Sequence, residues 1–177
     1  IDPLDGTKEF IKKNGEFTVN IAFMKNFKPC LGVIYIPAKK ICYYSNGKES
    51  FKINEDNKLK KINSDKNPSN TNIVVSRSHI DEKTEQVLKK KKTNILKIGS
   101  SIKFCLIAEG IANFYFRYGN TMEWDIAAGH AILKTANGKV TDEKFNEISY
   151  GKENFKNGPF IAYSSASTKQ LKDFLVY

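Results

Sequence analysis

Between Phe17 and Ser45, apolar and polar residues alternate in short runs. Residues 17–24 (Phe-Thr-Val-Asn-Ile-Ala-Phe-Met), 30–36 and 40–45 are rich in β-branched and aromatic side chains. Lys25-Asn26-Phe27-Lys28 and Pro37-Ala38-Lys39 separate them, and the pattern predicts an antiparallel meander. The Lys-rich stretch 48–62 predicts two more short strands. From Asn63 to Asn72 the chain is almost wholly polar, with Pro68 inside it. This stretch is read as a boundary between an N-terminal α+β unit over residues 1–70 and a C-terminal α/β unit over 71–177.

Beyond the boundary, strand and helix alternate. Ile73–Ser76 predicts a buried strand, and Asp81 caps a helix with Glu82 and Glu85 early and Lys89 to Lys92 late, the order a helix dipole favours. Ile95–Ile98 is the next strand. Ser100 is read as the cap of a helix stopped by Gly110, Asn113–Arg117 as a strand, and Asp125 to Ala136 as a helix ended by Asn137-Gly138. Phe160–Tyr163 and Thr168–Tyr177 close the chain with a strand and a helix. The expected class is layered α/β, without internal repeats.

The chain has 177 residues, 40% of them hydrophobic, enough for a sizeable core. No apolar run approaches the ~18 residues of a membrane span, so stable membrane insertion is not expected. The start, Ile1-Asp2-Pro3, has neither Met nor the basic and apolar regions of a signal peptide, and it reads as part of a longer protein. Cys30, Cys42 and Cys105 lie far apart, which encodes no disulfide framework or zinc knuckle and suits a reducing cytoplasm. The net charge is +10, yet only Arg77 and Arg117 are arginines. Lysine and asparagine enrichment of this kind fits AT-rich codon usage better than nucleic-acid binding, although the charge would favour anionic small substrates.

Two segments carry chemistry. In Asp2-Pro3-Leu4-Asp5-Gly6-Thr7, a strand ending near Asp2 followed by a Pro3 turn would bring both carboxylates to one side as hard oxygen ligands for magnesium, with the Leu4 carbonyl between them. Gly6 permits close backbone approach, and Thr7, Lys8 and Glu9 open a short helical turn whose amides can hold a phosphate. Asp-Pro and Asp-Gly are equally ordinary turn dipeptides. A haloacid dehalogenase-type phosphatase is excluded, because its nucleophilic Asp would fall at Pro3. The second segment, Glu123-Trp124-Asp125-Ile126-Ala127-Ala128-Gly129-His130, opens a helix faced with small residues. Asp125 alone is most simply an N-cap, Trp124 and His130 core residues, and His79 structural; alternatively, Asp125 completes a metal site begun by Asp2 and Asp5.

Together, Asp2-Pro3-Leu4-Asp5-Gly6-Thr7 and Trp124-Asp125-Ile126-Ala127-Ala128-Gly129 resemble the paired signatures of the inositol monophosphatase-like, magnesium-dependent, lithium-sensitive phosphatases. Within that superfamily the chain most resembles the CysQ-type 3'(2'),5'-bisphosphate nucleotidases. The resembling segments are Asp5 to Ile11, Asn14-Gly15-Glu16-Phe17-Thr18-Val19-Asn20-Ile21-Ala22, Gly99-Ser100-Ser101-Ile102-Lys103-Phe104-Cys105 and Thr121 to Asp125. The resemblance implies an αβαβα sandwich, lacking its N-terminal part here. It implies that Asp2, Asp5, Asp125 and the Leu4 carbonyl bind Mg2+, and that Gly6 and Thr7 contact the phosphate, with Thr7 orienting the attacking water. It also puts Gly99, Ser100, Ser101 and Glu123 at the rest of the substrate, where Ser100 is equally a plain cap.

The activity so implied is removal of the 3'-phosphate of adenosine 3',5'-bisphosphate, a small-molecule nucleotide substrate. The alternatives are an inositol or sugar phosphatase, or a non-catalytic basic binding module. The family carries a metal-binding Glu upstream of the Asp-Pro motif, which is not found in these residues. The expectation is therefore that this chain alone is poorly active.

Overall fold

The computed structural model describes residues 1–66, 71–78, 80–89 and 93–175. Pro68, His79, Lys90–Lys92 and Tyr177, which entered the reading above, lie outside the described residues.

The meander forms as expected. Strands β1 (Asp2–Asp5), β2 (Thr18–Lys25), β3 (Lys28–Ile36), β4 (Ile41–Ser45), β5 (Ser50–Ile53) and β6 (Leu59–Ile62) make a six-stranded antiparallel sheet in chain order. A five-residue helix, α1 (Thr7–Ile11), follows β1. Alternation sorts the faces of the sheet: Ile34, Ile36, Tyr43 and Ile62 point inward and are buried.

The second sheet is mixed. Strands β7 (Asn72–Ser76), β8 (Asn94–Ile98), β9 (Phe114–Arg117), β11 (Gly138–Thr141) and β13 (Phe160–Ser164) lie in the order β11-β13-β9-β7-β8, with β7 parallel to β8 and β9. A separate two-stranded ladder joins β10 (Thr121–Met122) to β12 (Lys156–Asn157). The reading above did not foresee β10, β11 or β12. Two of them are only two residues long, and β11 is too short for alternation to stand out.

Four helices complete the layers: α2 (Glu82–Lys89), α3 (Ile102–Ala108), α4 (Glu123–Thr135) and α5 (Thr168–Leu175). Helices α3 and α4 fill the space between the sheets. Phe104, Ile107, Ile132 and Leu133 meet Ile34 and Tyr43 on one side and Tyr115 and Phe160 on the other. The small residues of α4 allow this close approach. A Cβ on Gly32 of β3 would lie 2.3 Å from the Ala128 carbonyl oxygen, and one on Gly129 would lie 2.5 Å from Phe104. On the far face of the second sheet, Val87 of α2 and Leu171 and Phe174 of α5 cover Ile73, Val75, Phe114 and Phe116.

The layers are thus sheet, helices, sheet, helices. These are four layers of the αβαβα sandwich, which was expected without its N-terminal part, and Ile21, Phe23, Leu31 and Tyr35 are exposed on the outer face of the six-stranded sheet. The polar stretch from Asn63 separates the two sheets in sequence, while one core cluster unites them in space. Hydrogen bonds from Ser64 N–H to the Ala136 carbonyl and from Ser164 Oγ to the Ser64 carbonyl tie the stretch down.

Candidate metal centre and anion cleft

In a regular strand, residues three apart face opposite sides. Asp2 and Asp5 nevertheless converge, because β1 is bulged: Asp2 pairs with Asn20 and Asp5 with Thr18, so a three-residue step on β1 opposes a two-residue step on β2. Pro3, which has no N–H for the ladder, sits in the bulge. The strand therefore runs through Asp5 instead of ending near Asp2, and the bulge performs the task the reading above gave to a turn. Leu4 N–H closes the bulge by donating to Asp2 Oδ1 at 3.1 Å. Gly6 then takes the left-handed conformation, φ +83°, that turns the chain into α1, with Thr7 first in the helix.

Asp5 is held from behind by side chains whose place in the pattern was visible but whose purpose was not. Its Oδ2 accepts the Ser101 N–H at 2.6 Å, and Thr18 Oγ1 and Asn20 Nδ2 at 3.4 Å. Ser101 Oγ in turn meets Thr18 Oγ1 at 2.8 Å and Asn20 Oδ1 at 2.7 Å. Thr18 and Asn20 are polar residues at inward-facing strand positions, and that was the signal. Satisfied in this way, they orient Asp5 instead of costing stability.

Ser100 does not cap α3. The N-cap is Ser101, and Ser100 is thrown into a left-handed conformation (φ +48°) in which its buried hydroxyl has no hydrogen-bond partner. The flanking amides of Gly99 and Ser101 are both taken by carboxylates, Glu16 and Asp5.

Asp125 is the third residue of α4, not its cap; Met122 is the N-cap and donates its N–H to Asp125 Oδ2 at 2.7 Å. Glu123 turns the other way. Its carboxylate accepts Gly151 N–H, Lys152 N–H and Lys152 Nζ at 2.8–3.1 Å, which places it away from the cleft that Asp125 lines. Trp124 is 41% exposed instead of core, leaning on Phe155 beside an apolar cavity that holds none of the three aspartates. The second position of α4 points its side chain off the helix's buried stripe. His130 is in the core as expected, with Nδ1 2.9 Å from the Tyr150 hydroxyl.

Asp2, Asp5 and Asp125 bring one carboxylate oxygen each within 4.8 Å of one another. Burial raises the pKa of all three above the ordinary Asp value; Asp5 adds to the rise at Asp2, and both do so at Asp125, which is pushed up to about 6. Like charges held this close demand a counter-charge. An all-oxygen donor set fits a hard divalent cation.

A cleft of about 340 Å³ opens beside the cluster, lined by Asp5, Gly6, Thr7, Ser100, Ser101 and Asp125. Gly99 supports it from behind, where a Cβ would strike Glu9 Cγ at 2.5 Å. The cleft also has basic lining residues that the reading above did not single out as such: Lys8, Lys103 and Arg117, with Tyr115 beside them. Lys103 is buried, its ammonium bonded to the carbonyls of Ile98 and Ser100 and 5.1 Å from the centre of the Tyr115 ring. Burial draws its pKa down to about 8 despite Asp5. A lone Lys inside Ile-Lys-Phe-Cys-Leu-Ile-Ala and a scarce Arg at the end of a strand were the available signals.

The model of the inositol monophosphatase family matches residues 1–173. The 3'(2'),5'-bisphosphate nucleotidase CysQ of Salmonella typhimurium is 45% identical over 162 residues, covering 90% of this chain and 65% of that protein. The enzyme of the same name from Buchnera aphidicola is 46% identical over 166 residues, covering 92% and 62%. The chain thus spans less than two thirds of these relatives' length. The crystal structure of CysQ from Bacteroides thetaiotaomicron superposes with a TM-score of 0.85 at 41% identity, covering 92% of this chain and 68% of that one.

Proposed function

Because the chain belongs to the inositol monophosphatase family, we propose that it is the greater part of a magnesium-dependent phosphomonoesterase that removes the 3'-phosphate of adenosine 3',5'-bisphosphate. One observation carries the reading beyond the family: Asp5 and Asp125, two of three converging aspartates, line the same cleft as Lys8, Lys103 and Arg117, so that the cleft suits a cation with its phosphate and a second anionic group as well. Inositol monophosphate has no second phosphate to place there.

Asp2, Asp5 and Asp125 would hold Mg2+, with the Leu4 carbonyl as a further oxygen ligand. Mg2+ supplies charge that polarises the phosphate and acidifies water. The chain's own residues do the rest. Thr18, Asn20 and Ser101 occupy Asp5 Oδ2, so that the other oxygen faces the cluster. Gly6, Thr7 and the backbone opening α1 meet the scissile phosphate, and the Thr7 hydroxyl orients the incoming water. Water attacks phosphorus, the bond to the 3'-oxygen breaks, and that oxygen takes a proton to leave AMP and phosphate. Lys103 and Arg117 bind the 5'-phosphate as charge-assisted donors.

Calorimetric titration in millimolar Mg2+ tests the assignment without requiring turnover. Adenosine 3',5'-bisphosphate binding at least about tenfold tighter than inositol monophosphate supports it, since one charged phosphate contact is worth about 1.5–3 kcal/mol. A preference for inositol monophosphate overturns it.

A further inference from the structure

None of Asn14-Gly15-Glu16-Phe17 belongs to the aspartate cluster or lines the cleft, yet the Glu16 carboxylate is held by three hydrogen bonds. Its Oε1 accepts Arg77 Nη2 and its Oε2 accepts Arg77 Nε, both at 2.7 Å. Oε2 also accepts the Gly99 N–H at 2.7 Å. Burial alone would raise its pKa, but these bonds and the Arg77 charge hold its carboxyl below the usual range. Two carboxylates therefore clamp one tripeptide: Glu16 takes the amide of Gly99, and Asp5 takes the amide of Ser101 at 2.6 Å. The residue between them, Ser100, sits at φ +48°, a conformation that costs energy for any residue with a Cβ and persists only where its surroundings enforce it. Its hydroxyl is a buried polar atom of the cleft with no hydrogen-bond partner, and its Cβ abuts Gly6 so closely that a Cβ there would lie 3.1 Å away.

We propose that Glu16, steadied by Arg77, is a positioning residue: by holding the Gly99 amide it sets the left-handed turn that presents the Ser100 hydroxyl to a phosphate-bearing substrate. The inference rests on the functional reading above. It gives Glu16 a role with no contact to metal or substrate. It also sets the two arginines of the chain apart, with Arg117 on the cleft wall and Arg77 behind the clamp. A Gln at position 16 can still accept from Gly99 N–H and Arg77 Nε through one oxygen. An Ala cannot, and an Asp keeps the charge but is too short to reach Gly99.

The test is calorimetric titration of adenosine 3',5'-bisphosphate in millimolar Mg2+, with the Gly99 and Ser101 amides followed by ¹⁵N NMR. Glu16→Ala is expected to move both amides and weaken nucleotide binding about tenfold, while Mg2+ affinity stays at the parent value. Glu16→Gln is expected to restore binding to within about threefold of the parent, and Glu16→Asp, which serves if the Ala variant does not fold, to weaken it about fivefold. The inference is overturned if Glu16→Ala or Glu16→Asp moves the amides yet binds like the parent, or if Glu16→Gln is as weak as Glu16→Ala. A parent chain that binds no nucleotide overturns the functional reading and this inference with it.

Discussion

The two sheets of this protein are built from similar strands and live in different surroundings. The mixed sheet is covered on both faces. Phe114 and Phe116 lie against α5 while Tyr115, between them, meets Phe104 of α3, so the three aromatic positions of β9 are packed on both faces. The antiparallel sheet is covered on one face only. Its inner residues reach α4 through the Gly32 contact, while Ile21, Phe23, Leu31 and Tyr35 lie open on the other side. The candidate site stands at the seam, where the open sheet contributes Asp2 and Asp5, the covered sheet contributes Arg117, and the helices between them contribute Lys103 and Asp125. Burial is therefore graded across the molecule, and the site sits where a charged cluster can be rigid without being sealed from solvent.

That contrast is sharpest at two phenylalanines. Phe160→Ala, in the layer between α3 and the covered sheet, is expected to cost about 3–5 kcal/mol in urea unfolding, whereas Phe23→Ala on the open face should change stability by less than about 0.5 kcal/mol. Comparable losses at both sites would show that the open face is covered in solution. Next in size, Gly32→Ala should destabilise by about 1–3 kcal/mol by driving α4 off β3; a neutral result would mean the seam is loosely packed.

Smaller effects belong to the aspartates. The folded pKa of Asp125 is raised to about 6 from 3.8, so between about pH 4 and 6 the folded chain holds more protons than the unfolded one. Without divalent cation, stability should therefore fall as pH rises through that window. His130 works in the opposite direction. Its pKa is lowered to about 4 by burial and by Lys134, so its contribution is present above about pH 6.5 and lost as pH falls towards 4. Asp125→Asn removes the first effect alone. In EDTA at pH 7 it is expected to stabilise the chain by about 1 kcal/mol once solvent screening is allowed for, and thermal melts across pH check the sign.

The meander and the covered sheet except β11 were legible because their periodicities are clean: β2, β3 and β4 alternate, and β7 and β13 have apolar runs at their centres. What sequence could not convey was geometry set by partners. The spacing of Asp2 and Asp5 suggested two ligands, but the bulge that aligns them depends on pairing with Thr18 and Asn20. Ser100 looked like a cap because Ser before an apolar run usually is one. The cap is Ser101 instead, and the amides on either side of Ser100 go to two carboxylates, Glu16 and Asp5, that are remote in sequence. Glu123 was expected at the substrate and Asp125 at the metal, but the first turn of α4 sends Glu123 to Lys152 and only Asp125 to the aspartate cluster. Lys103 was hidden by its own helix, since one cation in an apolar face reads as a surface residue until Tyr115 and the cleft are in place.

The central claim is that Asp2, Asp5 and Asp125 form one divalent-cation site at this seam. Thermal unfolding at pH 7.5 with increasing Mg2+ tests it most directly. The parent chain should gain stability steadily, by about 2.7 kcal/mol when Mg2+ reaches a hundredfold excess over its dissociation constant, and Asp125→Asn should gain little or nothing. Equal stabilisation of both proteins, or of neither, would contradict the claim.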